Sequence, residues 1–498
     1  MSKTSSTPVV RVKEGELRGT TDRGALAFFG VPFAAPPFGP DRMRAPRPAS
    51  PWNGVRDATG YGPTSPKGPY PPQYRPLFPE VDIPGEDCLN LNVWTPDTTG
   101  SLPVLVWIHG GSFTNGSGSV AEYNGAAFAR HGVVTVTINY RLGAEGFLYT
   151  GDNVANPGLL DQVAALTWVR NNIAAFGGDP ARVTVAGESA GAMSVITLLS
   201  MPAAAGLFHQ AIAQSGAAAH TLDPQDGRMV AGFLAEALGV EPTREAIAAI
   251  PVRQVTAAVS ALTEEVQTAP DPAKWGTLAL SLLPFMPTVD GEVVPRPPLE
   301  AIAAGRGADV ALLIGSNQDE ARLFFVADGS IGAVDEATLA SAAGAYGLPA
   351  EGVEVYRRNR PDARPGDLLA AIVSDWFYRV PAVRVAEART GSTASTWVYR
   401  FDYWSPAYDG QLGACHGVEI PFVFDTLHAP STRPRVGDSA SQVVADTAHA
   451  TWVSFIRRGD PGWAPYTVDA RTTGLINDGV GAVDDPAGDE RRLWEGVR

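Results

Sequence analysis

Cysteine is nearly absent: Cys88 and Cys415 are the only two in 498 residues. Two thiols cannot build the multiply bridged framework of a small secreted domain, and a chain of this length buries a core without one. Positive charge is also short, with 38 Lys and Arg against 53 Asp and Glu, a net charge of −15. That balance disfavours nucleic acid and anionic membrane surfaces as partners and leaves a small neutral molecule open. No apolar run is long enough to cross a bilayer. Met1 to Lys13 is polar and lacks the apolar core of a secretory signal, so a cytoplasmic location is expected. No metal-ligand spacing stands out, and no metal is expected. Internal repeats and low-complexity linkers are missing too. What remains is a globular composition, 45% hydrophobic and 18% charged. We read it as a single domain over 1–498, with a monomer favoured.

The chain is organised around Arg182-Val183-Thr184-Val185-Ala186-Gly187-Glu188-Ser189-Ala190-Gly191. Val183 to Ala186 is a β-branched run that reads as a buried strand, and Ala192 to Leu199 reads as helix. Between them lies G-x-S-x-G, centred on Ser189. A strand, a sharp turn and a helix are the context in which this pentapeptide presents a serine hydroxyl at a sheet's end, beside the positive end of a helix. Alone, the pentapeptide also fits an ordinary strand-to-helix turn.

Further strands are expected at Leu89 to Trp94, Pro103 to Ile108, Val133 to Tyr140, Gln210 to Gln214, Val310 to Ile314 and Thr396 to Phe401. Several are apolar on both faces, which suits the central strands of a covered sheet. Asp161 to Phe176 reads as a helix, with Leu166, Val169, Ile173 and Phe176 on one face. Alternating strands and helices predict an α/β sheet. Residues 223–280 and 332–390 are mostly helical and read as insertions over the site. The proline-rich stretch from Pro36 to Pro84 predicts little regular structure and a loop lining or covering a site. Val443 to Arg457 reads as the last helix.

A serine nucleophile needs a base, and the base an orienting acid. In this strand–turn–helix setting the chain order is serine, acid, histidine. Of the seven histidines, His109 and His131 precede Ser189, and His209 and His220 follow it too closely. His416, His428 and His449 remain, and His449 sits on a helical pattern. His416, in the glycine-bounded loop Gly413-Ala414-Cys415-His416-Gly417, is the best candidate base. Asp319 and Glu320 both follow the strand ending at Ile314, and composition does not separate them. His109-Gly110-Gly111-Ser112-Phe113 directly follows a strand and offers backbone N–H groups to an oxyanion, as does Ala190 after the serine.

The run Phe176-Gly177-Gly178-Asp179-Pro180 leading into the pentapeptide resembles the nucleophile signature of the type-B carboxylesterases, the cholinesterase-like family. Glu86 to Trp94 is similar to that family's second signature. The likeness runs from about residue 9 to residue 475 and is nearest to bacterial p-nitrobenzyl esterase-like members. It implies an α/β-hydrolase fold, with a central mostly parallel sheet flanked by helices, and hydrolysis of a small-molecule ester without a cofactor through an acyl-enzyme. It implies Ser189 as nucleophile, Glu320 rather than Asp319 as acid, His416 as base, and Gly111, Ser112 and Ala190 as oxyanion donors. Glu188 is expected to be a buried charge outside the triad. Ser112 departs from the commoner Gly or Ala, and nothing upstream of Cys88 can pair with it. Leu77-Phe78 stands where cholinesterases carry a tryptophan, which disfavours a choline ester specialist.

The same triad serves amidases, carbamate hydrolases and lactonases, and a non-catalytic binding protein of this fold is a further alternative. Phe78, Leu283, Phe285 and Phe324 are candidate pocket walls. Leu283, where acetyl-selective relatives carry bulk, suggests short to medium acyl chains and aromatic esters. An ordinary histidine pKa of about 6.5 predicts activity rising between about pH 6 and 7.5.

Overall fold

The computed structural model describes residues 7–498. Its strands are β1 (Val9–Val12), β2 (Gly15–Arg18), β3 (Thr20–Asp22), β4 (Ala25–Pro32), β5 (Val55–Asp57), β6 (Asn90–Thr95), β7 (Leu102–Ile108), β8 (Val134–Ile138), β9 (Gly178–Glu188), β10 (Gln210–Gln214), β11 (Ala311–Asn317), β12 (Thr396–Phe401), β13 (Thr472–Ile476) and β14 (Val480–Asp484). Eleven of them form one sheet in the order β14-β13-β12-β11-β10-β9-β7-β8-β6-β4-β3, and β1, β2 and β5 form a small second sheet. From β8 through β7, β9, β10, β11 and β12 to β13, every neighbour pairs in parallel. Antiparallel pairs occupy both margins.

The middle strands owe their place to burial on both faces. Val104 to Ile108 and Val134 to Ile138 are buried at every position, and helices cover the two faces. Helix Pro157–Asn172 buries Leu159, Leu166 and Val169, and Val443 to Arg457 falls within helix Gln442–Arg458, which buries Trp452, Phe455 and Ile456. The long connections after β10 and β11 are mostly helical. Pro224–Leu238 and Val252–Thr268 stand between β10 and β11, and Glu336–Ala345 to Val380–Ala388 between β11 and β12. The stretch 36–84 holds only the short β5 and one 3-10 turn, Gly39–Asp41. Among the described residues no helix is long and apolar enough to cross a membrane.

The end of the chain corrects one expectation. Helix Gln442–Arg458 is followed by β13, β14 and the short helix Gly488–Arg492. β13 is short and interrupted by Gly474, where a Cβ would fall 2.4 Å from the Trp463 ring. β14 is exposed at every residue and so shows no alternation of apolar and polar side chains.

One ion pair braces the sheet against its covering helix. Arg141, beyond β8, donates from Nη2 and Nε to the two carboxylate oxygens of Asp161 at 2.6 and 2.8 Å. The side chains are 1% and 0% exposed. Removing one buried charge strands the other. Asp161→Asn is expected to cost about 3–5 kcal/mol in denaturant unfolding; a loss below about 1 kcal/mol would show that water reaches Arg141.

Candidate active site

β9 runs into Ser189 at Glu188, and helix Ala190–Ser200 starts one residue later. Ser189 takes φ 55° and ψ −126°, a strained geometry for a residue with a Cβ. Its flanking glycines are required by contact. A Cβ on Gly191 would lie 2.0 Å from Ile108 O, and one on Gly187 would lie 2.5 Å from the carbonyl carbon of Gly191. Ser189 is half-buried, while its neighbours from Val183 to Ser200 are buried. The turn therefore raises one hydroxyl out of a closed interior.

The loop after β7 packs onto this turn. A Cβ on Gly110 would lie 2.7 Å from Glu188 Oε2 and 3.1 Å from Ser189 Cβ. Gly111, Ser112 and Phe113 follow with φ of 114°, 56° and 61°. Among the described residues, the N–H groups of Gly111, Ser112 and Ala190 donate to no backbone carbonyl outside regular elements. His109 is buried and stacks on Tyr140; burial lowers its pKa to about 3.

His416 lies in the loop beyond β12. Its Nδ1 is 2.7 Å from Glu320 Oε2. A carboxylate only accepts, so Nδ1 carries the proton and Nε2 is left as acceptor in the neutral ring. Glu320 is fully buried, and its Oε1 accepts the Asn317 N–H at 2.7 Å. Asp319 does something else: its backbone N–H donates to Ala414 O at 2.9 Å, and its Oδ2 accepts from Ala414 N–H at 3.2 Å. The pair that composition left open is thus separated by geometry.

Glu188 stands closer to the imidazole than expected. Its Oε1 is 3.1 Å from His416 Nε2, with no aligned hydrogen bond. Glu419 is buried nearby, accepting from Gln214 Nε2 at 3.0 Å and Asn317 Nδ2 at 2.6 Å. Burial lowers the pKa of His416, but the carboxylates of Glu188 and Glu320 outweigh it and raise it to about 9. Burial pushes Glu188 up to about 8. No hydrogen bond joins Ser189 Oγ to His416 among the described residues.

Of the candidate pocket walls, Phe324 stands with its ring 5.6 Å from His416. Phe78 joins it indirectly: it stacks on Tyr70 at 5.3 Å and meets Tyr74 at 6.5 Å, and Tyr74 meets Phe324 at 5.9 Å. Leu283 and Phe285 are buried in the same large apolar cluster as Phe113 and Ala190, Phe285 being 1% exposed. Tyr378, 4.9 Å from His416, was not singled out from sequence. It sits on a π-helical turn, Asp375–Arg379, which leaves no periodic signature. Among the described residues no group of three or more His, Cys, Asp or Glu side chains is placed to hold a metal ion.

The model of the carboxylesterase family matches residues 6–474. The para-nitrobenzyl esterase of Bacillus subtilis is 37% identical over 97% of this chain and 98% of its own length. The phenmedipham hydrolase of Pseudarthrobacter oxydans is 38% identical over 91% of this chain and 90% of its own. Among solved structures, a carboxylesterase of Geobacillus stearothermophilus superposes with a TM-score of 0.85 at 36% identity, covering 98% of this chain and 99% of that one. The likeness extends over nearly the whole length in both sequence and structure, so the chain belongs to the carboxylesterase family, has the α/β-hydrolase fold and is a carboxylic ester hydrolase.

Proposed function

We propose that hydrolysis runs through a covalent acyl-enzyme on Ser189, with His416 as base and Glu320 as the acid that orients it. The observation that carries this is the 2.7 Å contact from His416 Nδ1 to buried Glu320, which leaves Nε2 as the proton acceptor. Ser189 Oγ attacks the ester carbonyl while its proton passes to Nε2. The carbonyl oxygen becomes an oxyanion held by the N–H groups of Gly111, Ser112 and Ala190. Collapse breaks the bond to the alcohol, which leaves with the proton from Nε2. Water then repeats the sequence on the acyl-enzyme and regenerates the serine. Catalytic hydrogen bonds commonly close only around substrate, which accommodates the present separation of serine and histidine. The protein acts as a cytoplasmic single-domain monomer without cofactor, metal or nucleic acid.

For substrate, we favour esters with an aromatic part. Phe324, Tyr74 and Tyr378 make an aromatic wall by the imidazole. The name of one relative points to an aromatic substrate as well, para-nitrobenzyl esterase. Short to medium acyl chains remain the expected acyl range.

Ser189→Ala and His416→Ala should each lower kcat on the order of 10⁴–10⁶-fold with unchanged melting. A fluorophosphonate should label the native chain and not Ser189→Ala. Glu320→Gln should be severely impaired and Asp319→Asn much less so; the reverse ranking would remove Glu320 from its role.

His416 must be neutral to accept a proton, and its pKa is raised, so activity is lost as pH falls through a value above the ordinary 6.5. The acid limb of kcat/KM should therefore lie higher than the pH 6 to 7.5 expected of an unperturbed histidine. Glu188→Gln should move it down by removing a charge at 3.1 Å. A native midpoint at or below 6.5, with chemistry limiting, would contradict the carboxylate setting.

A further inference from the structure

Residues 64–83 form a strap closed at its neck. Thr64 N–H donates to Ile83 O at 3.0 Å, and Ile83 N–H donates back to Thr64 Oγ1 at 3.1 Å. Inside it lies a buried lysine, Lys67, with a side chain 2% exposed and Nζ 3.5 Å from Glu80 Oε1. Nζ also donates to Val81 O at 2.9 Å and to Thr64 Oγ1 at 3.2 Å. The other Glu80 oxygen accepts from Asn115 Nδ2 at 3.2 Å, and the same nitrogen donates to Gly68 O at 2.7 Å. Asn115 Oδ1 accepts from Thr114 Oγ1 at 3.1 Å. The amide can face only this way, because the flipped orientation would turn Oδ1 toward two acceptors.

Asn115 belongs to the loop after β7. Thr114 N–H and Asn115 N–H both donate to Gly111 O, at 3.0 and 2.8 Å. A Cβ on Gly111 would fall 2.3 Å from Asn115 O. Gly111 and Asn115 therefore cannot move independently. The strap in turn carries Tyr70, Tyr74 and Phe78, and Tyr74 packs on Phe324 beside His416. One side-chain amide thus joins the loop that faces Ser189 to the aromatic wall.

We propose that Asn115 is a positioning residue for ester hydrolysis. Its amide latches the strap to the loop of Gly111 and Ser112 and holds their N–H groups at the strained angles recorded there. This rests on the reading of Gly111 and Ser112 as oxyanion donors. Residues such as Ser112 and Phe113, with φ of 56° and 61°, keep such angles only where their surroundings impose them. The latch imposes them from outside the loop, through Glu80 and its buried Lys67.

The test uses the full chain, with active sites counted by fluorophosphonate. Turnover of p-nitrophenyl butyrate is compared with inhibition by an alkyl trifluoromethyl ketone. In that adduct Ser189 Oγ bonds to the ketone carbon and its oxygen becomes the oxyanion. Asn115→Ala should lower kcat per titrated site and ketone affinity together, by about tenfold or more, with KM changed by less than about threefold. Glu80→Gln keeps an acceptor for Asn115 but loses the ion pair, and should show a smaller loss in the same direction. Unchanged kcat per site and ketone affinity, with only a lower melting temperature, would reduce Asn115 to a packing contact and overturn the proposal. If Asn115→Ala does not fold, the same null result in Glu80→Gln overturns it. Gly111→Ala separates the two readings. Loss of ketone affinity there but not in Asn115→Ala sinks the latch alone. Full ketone affinity in Gly111→Ala sinks the oxyanion assignment and the latch with it.

Discussion

The site depends on one imidazole held in a dry interior between carboxylates. His416 is closed off from water, with Glu320 on Nδ1 at 2.7 Å and Glu188 by Nε2 at 3.1 Å. In such a setting a neutral histidine loses little, but a positive charge on it would be costly without partners. The carboxylates reverse that balance. They raise the proton affinity of the ring above that of an ordinary histidine. The same charges oppose the neutral resting form, so proton affinity is gained at the expense of readiness at lower pH. The other buried histidines lack this setting: burial lowers His109 and His220 to about 3 and His449 to about 4.

The fold supplies this arrangement by close backbone approach. Parallel strands β9, β10, β11 and β12 end on one side of the sheet. The serine turn, the Glu320 turn and the His416 loop leave from the ends of β9, β11 and β12. Gly187, Gly191 and Gly110 let the turn and the loop after β7 come within contact distances that a Cβ would forbid. A network of amides then holds the loop carrying the histidine. Trp452 Nε1 donates to Gln214 Oε1 at 2.8 Å, Gln214 and Asn317 donate to Glu419, and Asn317 Nδ2 also donates to Cys415 O at 2.9 Å. The strain at Ser189 is thereby balanced by packing and hydrogen bonds spread over several elements.

What could be read from sequence was local. The strand into Ser189, the glycine loop at Gly110 and Gly111, and the placement of His416 by chain order all follow from short patterns. The central strands were legible because burial on both faces writes a continuous apolar run. Asp319 and Glu320 were not separable by composition, since adjacent carboxylates on a turn differ only in where the turn aims them. Glu188 beside the imidazole, Tyr74 and Tyr378 beside the wall, and Asn115 against Glu80 are contacts between distant segments, and no local pattern encodes them. Leu283 and Phe285 show the converse: their apolar character suits a pocket wall or a core equally, and both are buried in the large apolar cluster. β13 and β14 escaped because Gly474 and full exposure remove the alternation by which a strand is recognised.

Whether Glu188 and Glu320 raise the proton affinity of His416 can be read by direct titration. Nitrogen-15 NMR of histidine-labelled protein, with His416→Gln to assign the signal, would follow the seven rings across pH. The His416 ring should titrate well above the ordinary value of about 6.5, while His109, His220 and His449 stay neutral through the same range. A His416 ring that is already neutral at pH 6.5, or whose titration is unmoved by Glu188→Gln, would contradict it.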